Sequence, residues 1–260
     1  MKKNLNSIST STSISIVILV GGLGSRFSSF NEPPKQLSKL NKNLILINIL
    51  NNFKKYGFNH FIFPLGAKKN FFIKFFNTKK NIKKYNFNIL KKNFHEREIR
   101  PDKFNISLFD AGENTKKLTR IDKSFDYTNN KDLLVTYGDD LANVNLKKLV
   151  EKYLFLNKKK AIVTIYKKRS QYGHLVIKKD GLVKKFIEKP PHQYPINIGF
   201  YLFSKKILKA YQKKRFELEN DFLPVLTKFK LLTSFEHKGY FYSINDKKEL
   251  LNAKNKLKNL

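Results

Sequence analysis

The sequence predicts an α/β protein: a mostly parallel sheet flanked by helices, with extra strands in the C-terminal third. Three observations carry this expectation. Apolar, β-rich runs and helical stripes alternate through the first 166 residues, as βαβ units require. The first run, Ile14-Ser15-Ile16-Val17-Ile18-Leu19-Val20, shows no polar–apolar alternation, which suits a strand buried on both faces. Beyond residue 166 the strands become closely spaced, with Asp180-Gly181 as a hairpin turn.

Taken in order, residues 1–12 are polar and of low complexity and read as a disordered tail, leaving 13–260 as one domain. After the first strand, Gly21-Gly22-Leu23-Gly24-Ser25-Arg26 is a loop. Leu44 to Tyr56 carries apolar residues at 46, 49, 50 and 53, a helical stripe. Phe61-Ile62-Phe63 reads as a short strand ended by Pro64, and Phe71 to Phe76 as a helix. Strands are expected at Ile106–Phe109, Leu133–Tyr137 and Ala161–Tyr166, with a helix at Leu146–Leu156. In the last third, strands fall at Leu175–Ile177, Val183–Ile187 and Ile198–Phe203. Helices follow near 205–213 and 220–229, then a strand pair within 232–243 and a Lys-rich terminal helix.

Composition narrows the function classes. The 260 residues are 41% apolar, enough for one sizeable core. The absence of cysteine excludes disulfides and thiolate metal sites and suits a reducing compartment. The formal charge is +33, but the lysines are spread along the chain rather than clustered, so no specific nucleic-acid partner is expected. Such a charge still steers anionic substrates inward. No stretch approaches the ~20 apolar residues of a membrane helix, so no membrane partner is expected either.

Three motifs carry chemistry. In the first, glycines after a strand let backbone N–H groups approach phosphate oxygens, while Arg26 and Lys35 add cations. It is neither a Walker A loop, lacking Gly-Lys-Ser/Thr, nor the dinucleotide fingerprint, whose last glycine would fall at Phe27. The second is Leu133-Leu134-Val135-Thr136-Tyr137-Gly138-Asp139-Asp140, an apolar strand running into carboxylates at the sheet edge where ligands bind. A carboxylate there can hold Mg²⁺ together with substrate phosphates. The third joins Phe186-Ile187-Glu188-Lys189-Pro190 to Ile196-Asn197-Ile198-Gly199-Phe200, polar groups suited to a phosphorylated, polyhydroxylated ligand.

In order and spacing, these pieces resemble the sugar-phosphate nucleotidyltransferase family from Ile14 to the end. Tyr172-Gly173 and the segment Leu218-Glu219 to Leu223-Pro224 add to the match. Within the family, Asp110-Ala111-Gly112-Glu113-Asn114-Thr115 and Thr136-Tyr137-Gly138-Asp139 are most similar to glucose-1-phosphate cytidylyltransferases. The resemblance implies a Rossmann-like fold of the nucleotide-diphospho-sugar transferase type, in a cytoplasmic, Mg²⁺-dependent enzyme. Its substrates would be an NTP, best matched by CTP, and a sugar 1-phosphate; the family often self-assembles.

It further implies that Leu19, Val20, Gly21, Gly22, Gly24, Ser25, Arg26, Lys35, Gly112, Thr115 and Gly138 meet the nucleotide. Gly173, Glu188, Lys189, Asn197 and Gly199 would meet the sugar phosphate. Arg26, Lys35 and Asp139 would serve catalysis, and Asp139 with Asn245 or Asp246 would bind the metal. The sequence departs from the family pattern in three places: a few residues are missing after Thr115, Asp140 replaces a glycine, and Asn245 replaces an aspartate. The last substitution raises an alternative, a catalytically impaired relative that binds nucleotide or sugar nucleotide without turnover.

Overall fold

In the computed structural model, which describes residues 14–22, 24–213 and 216–258, the first apolar run is strand β1 (Ile14–Leu19). The tail expected at 1–12 lies outside the described residues. A short 3-10 turn (Lys35–Leu37) and a small ladder, β2 (Lys39–Leu40) with β3 (Asn43–Leu44), lead into helix α1 (Ile45–Lys54). Then come β4 (His60–Leu65), α2 (Lys69–Asn77), α3 (Lys79–Tyr85), β5 (Phe87–Leu90), β6 (Phe104–Asp110) and α4 (Lys117–Ser124). The chain continues through β7 (Asp132–Tyr137), β8 (Asp140–Ala142), α5 (Leu146–Phe155) and β9 (Ala161–Tyr166). The hairpin β10 (His174–Ile177) and β11 (Val183–Ile187) precedes β12 (Ile196–Ser204) and α6 (Lys205–Tyr211). A π-turn (Leu218–Phe222), α7 (Leu223–Lys228), β13 (Leu232–His237), β14 (Phe241–Ser243) and α8 (Lys247–Lys256) complete the described chain.

Eight strands form one sheet in the order β13-β9-β12-β7-β1-β4-β6-β5, and within it only β12 runs antiparallel. The absence of polar–apolar alternation in β1 is explained by its place. It pairs in parallel with β4 and β7, and its side chains serve two cores. Ile16 and Ile18 pack with α1, α5 and α8, and Val17 and Leu19 pack with α4, α6 and α7. On α1 the stripe residues Leu46, Ile49, Leu50 and Phe53 are all buried, each contributing about 1.5–3 kcal/mol by leaving water.

Two expectations need correction. The strand expected to stop before Pro64 runs through it to Leu65. Its ladder to β1 is formed at Phe61 and Ile62, and Pro64 lies beyond those pairs, where a missing N–H is tolerated. The strands within 232–243 are not a pair: β13 joins β9 at the edge of the main sheet, whereas β14 pairs with β8. Six strands and helices lay outside the expected elements: β2, β3, α3, β5, α4 and β8. Helix α3 buries none of its residues and so leaves no apolar stripe in the sequence.

What this architecture positions is one edge. Strands β1, β4, β6 and β7 all point their carboxyl ends the same way, and each is followed within two residues by a glycine: Gly21, Gly66, Gly112 and Gly138. Backbone bonds extend the ladder past the strands, from Gly138 N–H to Leu19 O (3.0 Å), Ala67 N–H to Gly21 O (3.3 Å) and Ala111 N–H to Leu65 O (2.8 Å). The site is therefore built on rigid strand ends.

Candidate active site

A cavity of about 710 Å³ opens at that edge. It is lined by Leu19, Val20, Gly21, Gly22, Gly24, Ser25, Arg26 and Lys35 from the first motif, and by Thr115, Tyr137 and Asp139 from the next two strand ends. The glycines differ in role. Gly24 has φ +63°, a left-handed conformation that favours glycine, and a Cβ at Gly22 or Gly24 would meet open space. A Cβ at Gly21 would fall 1.1 Å from Nη1 of Arg120, so that glycine admits a guanidinium rather than a phosphate. Gly138 lets its strand end pack against Val20, whose Cγ1 would lie 2.6 Å from an added Cβ. Gly112, at φ +92°, turns the chain after β6 toward Thr115.

The far side of the glycine loop is pinned by Lys68, a buried residue at φ +62°. Its ammonium donates to Ser28 Oγ (2.8 Å) and Ser29 O (2.7 Å). Burial lowers its pKa, with Glu32 opposing the shift.

The catalytic candidates converge. Lys35, on the 3-10 turn, forms a largely buried ion pair with Asp139. Register brings Asn245 alongside: β14 pairs with β8, Ile244 N–H donates to Asp139 O (3.1 Å), and the next residue is Asn245. Arg26 then donates from Nη2 to Asn245 Oδ1 (3.4 Å). Asp246 points elsewhere. It caps α8, accepting from Glu249 N–H at 2.7 Å, and does not line the cavity. The oxygen donors here are thus one carboxylate and one neutral carbonyl. Among the described residues no cluster of three His, Cys, Asp or Glu could hold a metal alone. That set suits a Mg²⁺ ion whose remaining ligands are phosphate oxygens and water, not a dedicated protein cage.

Asp140, one residue on, faces away from the cavity and is 7% exposed. Burial, with the Asp139 charge adding to it, raises its pKa to about 7, against opposing contributions from the Ser243 hydroxyl and Lys35.

A second polar network borders the cavity. Tyr137 Oη donates to Glu219, which also pairs with Lys117 at 2.7 Å. Burial pushes the Glu219 pKa up, but the hydrogen bonds from Lys117 and Tyr137 outweigh it and hold the carboxyl below its usual range. Asn197 joins from β12: Nδ2 donates to Tyr201 Oη (2.6 Å), and Oδ1 accepts from Gly199 N–H (2.9 Å). Gly199, at φ +75°, lies where a Cβ would strike the Tyr137 ring. Gly199 thus backs Tyr137, which lines the cavity, and Asn197, tied to Gly199 and Tyr201, stands behind that lining. Gly173, Glu188 and Lys189 stand apart, at the exposed hairpin and outside the cavity lining. Gly173 makes room for the Phe186 ring, and Glu188 pairs with Lys189 at 3.5 Å, both exposed.

Sequence reasoning missed Arg120, Lys117 and Glu219 as site residues. Only six of the 53 cations are arginines, and Arg120 lies on a lysine-rich segment; that scarcity was the available signal. Glu219 and Lys117 meet only through tertiary contact, which no local pattern records.

A glycine loop, fixed cations and a carboxylate at the carboxyl edge of a mostly parallel sheet bring together the kinds of group that suit a nucleoside polyphosphate. The family profile described as nucleotidyl transferase matches residues 15–258, and the chain belongs to that family. It is 34% identical, over 90% of its length and 92% of the relative's, to a probable glucose-1-phosphate cytidylyltransferase of Bacillus subtilis (strain 168). It is 28% identical, over 88% and 91%, to a D-glycero-alpha-D-manno-heptose 1-phosphate guanylyltransferase of Aneurinibacillus thermoaerophilus. Among solved structures, HddC from Yersinia pseudotuberculosis complexed with GMP-PN aligns with a TM-score of 0.64 and 25% identity, over 93% of this chain and 98% of that one.

Proposed function

We propose that this nucleotidyltransferase joins a nucleotide from CTP to glucose 1-phosphate, releasing pyrophosphate. One observation carries the reading: the glycine loop, Arg26, Lys35 and Asp139 converge on a single cavity large enough for both substrates. Similarity to the cytidylyltransferase relative, at 34% identity, supports the choice of base and sugar.

In this reading the amides around Gly22, Gly24 and Ser25 face the triphosphate, and Arg26 neutralises its outer oxygens. Lys35 moves from Asp139 to the α-phosphate as the substrate arrives, which frees the carboxylate. Asp139, with Asn245 as a weaker partner, would hold Mg²⁺, which when bound screens the phosphate charge and orients the leaving group. Asp246 is spent on capping α8 and is not needed. Gly112, Thr115 and Gly138 shape the nucleoside side of the cavity. Asn197, Gly199 and Tyr137 receive the sugar. Gly173, Glu188 and Lys189 complete that side by a hairpin movement toward the cavity. The sugar phosphate oxygen attacks the α-phosphorus in line, so the chain contributes alignment and charge neutralisation rather than a covalent nucleophile.

No helix among the described residues is long and apolar enough to cross a membrane. The reading places the reaction in the cytoplasm, where nucleoside triphosphates are at hand, and includes assembly with identical chains.

The test is pyrophosphate release with CTP, UTP, dTTP, GTP and ATP, each against several sugar 1-phosphates in Mg²⁺. Turnover with CTP and glucose 1-phosphate is expected to lead. Turnover led by another pair would reassign base or sugar. Silence from the folded protein in every combination would favour the second reading, a binder without turnover, which the neutral Asn245 at the metal position motivates.

A further inference from the structure

Arg120 is 5% exposed yet lines the cavity. Three of its donors are committed: Nε to Thr115 O (2.8 Å), and Nη2 to Gly112 O and Glu113 O (3.0 Å each). These bonds fix the loop after β6. The remaining nitrogen, Nη1, makes no hydrogen bond among the described residues. Arg120 also has no carboxylate within ion-pair distance there; the Asp110 carboxylate pairs with Lys69 instead. Nη1 occupies the space that a Cβ of Gly21 would fill and lies 2.4 Å from a Cβ built at Gly66, so two strand ends are stripped of side chains around it. Burial accordingly lowers the Arg120 pKa, with only distant Asp110 opposing. A buried cation with an unused donor facing a cavity calls for an acceptor from the ligand.

Position decides which acceptor. The phosphate groups belong at Asp139, just past the end of β7, where Lys35 pairs with it and Arg26 reaches the neighbouring Asn245 from the loop after β1. Arg120 sits over the ends of β1 and β4, one to two strand spacings away, about 5–10 Å. A nucleotide anchored by its phosphates carries its base over that span. We propose that Arg120 is a specificity-determining residue that donates from Nη1 to a ring carbonyl of the nucleobase, and so selects against adenine, which has none. The inference rests on the nucleotidyltransferase reading.

The experiment compares wild type with Arg120→Lys and Arg120→Met. Measured are KM and kcat for CTP, UTP, GTP and ATP, KM for glucose 1-phosphate, and inhibition by inorganic tripolyphosphate, which has phosphates but no base. Loss of a charge-assisted bond should raise KM for the preferred carbonyl-bearing nucleotide about 10–100-fold. KM for glucose 1-phosphate, tripolyphosphate inhibition and the poor use of ATP should move by less than about 3-fold, so the preference over ATP narrows. Equal weakening of nucleotide and tripolyphosphate, or an unchanged nucleotide KM in a folded variant, would overturn the proposal.

Should both variants fail to fold, the wild-type protein still decides. The ¹⁵N resonance of the Arg120 guanidinium should shift with CTP and not with tripolyphosphate, and the reverse overturns the assignment. If wild type turns over no pair at all, the activity reading fails separately, and the same resonance together with calorimetric CTP binding still tests Arg120.

Discussion

Replacing Asp140 by Asn should stabilise the protein at alkaline pH and do much less in acid. In the fold this carboxyl is buried behind the cavity, and its pKa rises from the ordinary 3.8 to about 7. Burial is the largest cause and the adjacent Asp139 charge the second. The sign follows from proton counts. Between pH 3.8 and 7 the folded state keeps a proton that the unfolded chain has released, so folding stability falls as pH rises through that window. A shift of about three units corresponds to roughly 4 kcal/mol once both states are ionised.

Asparagine fills the same space, keeps a partner for the Ser243 hydroxyl, and cannot ionise. Its advantage over wild type should therefore grow by roughly 2–3 kcal/mol between pH 5 and pH 8. The assay is urea unfolding of both proteins at each pH, without added metal or nucleotide. A stability difference between the two proteins that is the same at pH 5 and pH 8 would refute the reasoning. Asp139→Asn supplies an internal check, because removing that charge should shrink the pH-dependent gain.

Three further outcomes are expected. Asp139→Asn should reduce pyrophosphate release at least about 100-fold with little change in melting temperature, since its carboxylate serves charge neutralisation at a strand end; turnover within a few-fold of wild type would contradict the role. Arg26→Ala should raise KM for the triphosphate by about 10-fold while sparing the sugar phosphate, and equal losses would place Arg26 elsewhere. His60 is buried between Ser15 and Ser107, and burial lowers its pKa to about 4. The unfolded chain binds the proton first as pH falls below about 6.5, so stability conferred by neutral His60 is lost on acidification. Relative to His60→Gln, wild type should lose about 1 kcal/mol between pH 7.5 and 5.5, read by urea unfolding; parallel profiles would exclude this cause.

Much was legible in the chain alone. The run Ile14–Leu19, without alternation and with Ser15 as its one polar residue, announced a central strand, because only a strand with neighbours on both sides and cores on both faces buries every residue. The glycine loop, Lys35 and Asp139 could be nominated because their chemistry lies in short segments at strand ends. The hairpin at Asp180-Gly181 was equally local, with Gly181 at φ +85°. Strand partners were not local. Nothing in 232–243 distinguishes a hairpin from two strands claimed by separate sheets, since pairing depends on which distant edge is free.

The same division runs through the site. Residue identity determined what could bind phosphate: glycines with bare backbone, planar or mobile cations, and a carboxylate at a sheet edge. Only the folded chain decided which of them meet. Asn245 lies beside Arg26 and Asp139 because β14 pairs with β8, while Asp246, a single residue later, is consumed as a helix cap. Gly21 and Gly66, 45 positions apart, yield their side-chain space to one guanidinium from α4. Such matches are made across the sheet, where distance along the chain carries no information about distance in space.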